Sequence, residues 1–129
     1  MSENQRLRLK ERGQGAKMKI NSLSIAREKI REEASLCDNT FLFLLYKEGE
    51  FDGNKYSALV DSILEVYNQG EVDEETKNNV CLFLRVVQLC IISHLDANDL
   101  YKIKKFDMNK WTEIYREKFD KVLETAVIN

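Results

Sequence analysis

Arg85, Cys90 and His94 are the residues best suited to chemistry in this chain: a guanidinium to hold a phosphate, a thiol to attack, an imidazole to move a proton. They lie in or beside the run VCLFLRVVQLCII, residues 80–92, where only Arg85 and Gln88 are polar. On one helix, the nine steps from Arg85 to His94 amount to a rotation of about 900° and a rise of about 13.5 Å. The two side chains then leave opposite faces and cannot close on one phosphate within a chain. Cys90 sits between Leu89 and Ile91, which offer neither exposure nor a base to activate a thiol.

The remaining chemistry is sparser still. Glu32 with Glu33, and Glu74 with Glu75, are neighbours whose helical directions differ by about 100°, so they read as solvated surface rather than acid–base pairs. Asp96 and Asp99 after His94 could recruit a cation together, but they read as helix caps. One histidine and three cysteines (Cys37, Cys81, Cys90), without a C-x-x-C spacing, make no zinc set. Phosphate-cradling glycine loops and Ser-His-Asp arrangements are missing from the sequence. The expectation is a protein that is not an enzyme and uses neither cofactor nor metal. The cysteines are expected as reduced core thiols of a cytoplasmic protein.

Such residues need elements to position them, and the composition favours helices. There is no proline and only five glycines among 129 residues, with 43% hydrophobic and 33% charged residues. The expected fold is all-α, one domain over 20–129 built from four to five helices, preceded by a disordered basic arm over 1–19. Leu23, Ala26, Ile30, Ala34, Cys37, Phe41 and Leu44 recur at helical steps, with Glu28, Lys29, Glu32 and Glu33 facing away or flanking. That unbroken seam predicts one helix to about Lys47; the alternative is a break at Asp38-Asn39-Thr40, with Asp38 or Asn39 as a cap.

Residues 47–54 read as a loop, with Asp52 capping the next helix and Phe51 stapled against Tyr56. That helix carries Tyr56, Leu59, Val60, Ile63, Leu64 and Tyr67 on one face and ends at Gly70. Asp73 caps a long helix over about 73–95, apolar around most of its circumference and therefore expected to be the buried central helix. Its apolar run of 13 residues, broken by Arg85, falls short of the roughly 20 that a membrane span needs. Leu100–Phe106 is expected as one or two helical turns. Asp107 then caps a last helix with Phe106 stapled against Trp111, and Trp111, Ile114, Tyr115, Phe119, Val122, Leu123 and Ala126 as its seam.

Charge is distributed unevenly along the chain. Residues 1–19 carry six basic and two acidic side chains (+4), residues 38–75 ten acidic and two basic (−8), and residues 102–121 are +3. The leading expectation is a protein-binding module whose acidic helical face draws in a basic partner. The face comprises Glu48, Glu50, Asp52, Asp61, Glu65, Glu71, Asp73, Glu74 and Glu75, with Tyr46, Phe51, Tyr56 and Tyr67 in or beside it as candidate anchors. By size, charge and class it is analogous to bacterial immunity proteins, inhibitors that mask a toxin nuclease. The alternative is a nucleic-acid-associated regulator or ribonucleoprotein subunit using Arg6, Arg8, Lys10, Arg12, Lys17 and Lys19, joined by Lys102, Lys104, Lys105 and Lys110. No membrane partner is expected. The apolar surplus of the 73–95 helix leaves a homodimer open.

Overall fold

A computed structural model describes residues 22–128, the last by backbone alone; the expected basic arm, 1–19, lies outside the described residues. Five helices and no strand are seen among the described residues: α1 (22–34), α2 (Phe41–Phe43 followed by a π-helical Leu44–Glu48), α3 (Gly53–Asn68), α4 (Glu74–Leu95) and α5 (Met108–Lys110, a π-helical Trp111–Tyr115, then Arg116–Ile128). The all-α bundle expected from composition is therefore observed.

The single helix expected to run to Lys47 is instead two. Leu36 and Asn39 both take positive φ (56° and 68°), and Thr40, rather than Asp38 or Asn39, caps α2 by accepting from Phe43 N. Local side chains compete for the backbone here: Ser35 Oγ donates to Glu32 O at 2.6 Å and Thr40 Oγ1 to Cys37 O at 2.8 Å. Glu33, expected on the surface, is only 6% exposed. Its carboxylate accepts from Phe41 N (3.0 Å) and Leu42 N (2.9 Å), satisfying two N–H groups at the start of α2. The apolar spacing survives the break because Phe41 re-enters the core beyond it, while Cys37 within it is exposed.

α2 ends at Gly49, whose φ of 66° is left-handed. Gly49 O accepts from Lys104 N at 2.7 Å, and a Cβ at this position would lie 2.8 Å from Lys102 O. Gly49→Ala is thus expected to cost about 1–2 kcal/mol from backbone strain and crowding, read as a lower urea midpoint with an unchanged slope.

α3 follows expectation: Asp52 accepts from Asn54 N and Lys55 N, and Phe51 packs on Tyr56 with ring centroids 5.2 Å apart. Its buried face is Tyr56, Leu59, Val60, Ile63, Val66 and Tyr67, and the chain leaves through Gly70 at φ 126°. The core is an aromatic cluster shared by several helices: Phe83 of α4 meets Phe41 of α2, Tyr56 of α3 and Phe119 of α5 at 6.1–6.3 Å.

α4 starts as expected, with Asp73 accepting from Thr76 N at 2.8 Å. It is not buried on several sides. Val80, Phe83, Leu84, Val87 and Cys90 line one buried face, whereas Leu89 is 56%, Ile92 62% and Leu95 58% exposed. α2 and α5 pack against α4, while Arg85, Leu89 and Ile92 on its outer side remain exposed. By length and composition α4 is the one described helix that qualifies as a membrane span; 28% of its apolar window is buried, and that buried face belongs to the common core.

Leu100–Phe106, expected as helical turns, forms none; its N–H groups are claimed individually. Tyr101 N donates to Asp99 Oδ1, Ile103 N to His94 Nδ1 and Lys104 N to Gly49 O. Lys102 folds back so that its ammonium donates to Asp96 O (2.7 Å) and Asp99 O (2.9 Å), beside the end of α4. α5 starts at the expected Asp107 cap. Its turn at Trp111–Tyr115 is π-helical and holds an extra residue, and Ile114, expected in the seam, is exposed to solvent because it lies at the edge of the face set by Trp111, Tyr115, Phe119 and Val122.

Candidate functional site

Of the residues with catalytic potential, His94 and Cys90 are taken up in packing. His94 accepts at Nδ1 from Ile103 N (2.9 Å) and meets the Phe106 ring edge-on at 5.2 Å, so it anchors the connector after α4. Arg85 is exposed on the opposite side of the helix. Of the three cysteines expected in the core only Cys90 is buried; Cys37 and Cys81 are exposed, because each falls outside the packed face of its segment. Burial pushes the Cys90 thiol up, away from the thiolate that a nucleophile requires. Among the described residues no three of His, Cys, Asp and Glu stand close enough to share a metal ion.

The nine carboxylates of the expected acidic face fall into three groups. Glu48, Glu50 and Asp52 surround the start of α3, Asp61 and Glu65 lie one turn apart along it, and Glu71, Asp73, Glu74 and Glu75 follow its end. The 16 residues of α3 place the outer groups about 24 Å apart. Asp52 and Asp73 are occupied as helix caps, and hydrogen bonding from Thr76 holds the Asp73 carboxyl below its ordinary range.

Four others have cationic neighbours: Asp61 with Lys118 (3.1 Å), Glu75 with Arg31 (3.1 Å), Glu74 with Lys77 (3.9 Å) and Glu50 with Lys104 (3.9 Å). Glu65 accepts from Ser22 Oγ. Glu48 and Glu71 are exposed and form no ion pair with another described residue. Of the candidate anchors, Tyr56 and Tyr67 belong to the core, Phe51 is half-buried, and only Tyr46 stands out at the surface, with Lys47 Nζ 5.1 Å over its ring.

Of the basic candidates, Lys102 is consumed by backbone carbonyls. Lys104, Lys105 and Lys110 border one polar cleft of about 270 Å³ with Asp107 and the rings of Phe106 and Tyr115. Beside α4 lies a more apolar groove of about 330 Å³, lined by Tyr46, Val86, Leu89, Cys90, Ser93 and Tyr101. Tyr101, one of the lining residues, donates its hydroxyl to Leu45 O.

The apolar surplus expected of the 73–95 helix appears as an exposed outer stripe of α4 rather than as burial on several sides. Leu89 and Ile92 share a sector with Arg85, and that placement on a helical wheel was the available signal. No family model matches the chain, and neither a curated protein nor a solved structure does.

Proposed function

We propose that the protein is a non-enzymatic binding module that engages a basic protein through carboxylates along α3 and its flanking loops, in the manner of an immunity protein blocking a toxin nuclease. The observation that carries this reading is the run of carboxylates, from Glu48 to Glu75, that borders α3 at both ends and along its outer side. The ion pairs within it are exposed, and such pairs contribute only about 0–1 kcal/mol, so incoming arginines and lysines can displace them at little cost. The employment of His94 and Cys90 in packing speaks for binding rather than catalysis.

Affinity capture from the host's lysate, followed by binding kinetics at low and high salt, tests the proposal. The captured partner should be basic, and Asp61→Lys combined with Glu71→Lys should slow association by about tenfold or more, with added salt doing the same to the unaltered protein. A partner whose association is indifferent to both changes would end this reading.

A second reading rests on the cleft between Lys104, Lys105 and Lys110, where cations and aromatic rings adjoin as in nucleic-acid sites. It is favoured instead if Lys105→Glu with Lys110→Glu abolishes retention on single-stranded RNA while the acidic-side variants leave it intact.

A further inference from the structure

The outer stripe of α4 has a symmetry that its composition alone does not require. Arg85, Leu89, Ile92 and Asp96 follow one another at steps of four, three and four residues. At 100° per residue they fall within a sector of about 60°. All four are exposed. Neither Arg85 nor Asp96 has an ion-pair partner among the described residues. Asp96 uses Oδ1 to accept from Asn98 N, which leaves Oδ2 free.

Rotation by half a turn about an axis between Cys90 and Ile91, perpendicular to the helix, exchanges Leu89 with Ile92 and Arg85 with Asp96. The stripe is therefore complementary to itself. Two copies laid antiparallel match each apolar residue with an apolar residue and each cation with an anion. A parallel pairing would set Arg85 against Arg85 and Asp96 against Asp96, which like-charge repulsion disfavours. Leu95 extends the apolar area at one edge, and Leu82, half-buried, continues the stripe one turn before Arg85.

We propose that the exposed face of α4 pairs antiparallel with the same face of a second copy of this chain, through Leu89–Ile92 contacts flanked by two Arg85–Asp96 ion pairs. The interface occupies one face of a single helix in each copy. It belongs at the small end of specific interfaces, and a dissociation constant of about micromolar order is expected. This pairing leaves the carboxylates bordering α3 outside the contact, so it stands or falls independently of the partner proposed above.

The arrangement of charges allows a test by exchange. Sedimentation velocity of the full chain, from about 1 to about 300 µM, should show a monomer passing to a dimer. R85D and D96R each place like charges at both ends of the contact and should weaken the dimer by about tenfold or more. Mixed together, the two variants carry complementary stripes and should form a dimer that neither forms alone. Circular dichroism confirms that both remain helical; if D96R loosens the end of α4, R85D alone still reads the effect. A chain that stays monomeric over the whole range overturns the proposal, whether the stripe then meets another protein, a membrane or residues 1–21. So does a dimer that R85D leaves intact, or folded variants that fail to associate on mixing.

Discussion

Glu33→Ala is expected to destabilise the fold by about 2–5 kcal/mol, whereas Glu32→Ala, one residue earlier, should change it by no more than about 0.5 kcal/mol. The contrast follows from where the two carboxylates end. Glu32 is exposed, whereas Glu33 turns inward and receives the N–H groups of Phe41 and Leu42, both fully buried residues. Alanine would leave two donors without an acceptor in a place that water does not reach, and each such donor costs about 1–3 kcal/mol. Glu33→Gln keeps one acceptor oxygen and should fall between the two. Urea denaturation followed at 222 nm measures all three variants; equal effects of Glu32→Ala and Glu33→Ala would contradict the capping role.

Phe41→Ala should cost about 3–5 kcal/mol, a large share of the stability of a domain this size. Phe41 has no exposure, and its ring stands within 5.3–6.3 Å of Phe51, Tyr56 and Phe83, so its removal opens a cavity among rings contributed by three other segments. Phe41→Leu refills most of that space and should cost less than about 2 kcal/mol. Near-ultraviolet circular dichroism provides a second readout, because loss of the ring should flatten the aromatic signal of the neighbouring tyrosines. A small effect of Phe41→Ala would mean that the cluster does not form the core.

The parts of this fold that could be read from sequence are those fixed within a few residues. Asp52, Asp73 and Asp107 cap the helices they precede because each carboxylate reaches N–H groups only two or three positions ahead. The break between α1 and α2 is tied by Glu33 reaching eight and nine residues forward, and the apolar spacing of 23–44 is equally compatible with a straight helix. The π turns at 44–48 and 111–115 left no signal in the sequence.

The candidate surfaces show the same division between local and distant causes. The carboxylates around α3 are visible as a run of charge, but the pairing of Asp61 with Lys118 joins positions 57 apart and needs the bundle to form first. The exposure of Leu89 and Ile92 depends on which side of α4 its neighbours occupy, and residue type carries no record of that.

The lysine ammonium beneath the end of α4 makes that helix terminus and the stretch after it a single mechanical unit. Because Lys102 holds the carbonyls of Asp96 and Asp99 while His94 holds the amide of Ile103, fraying of the last helical turn and release of residues 97–103 must happen as one event. Hydrogen exchange at those amides therefore shares one opening free energy.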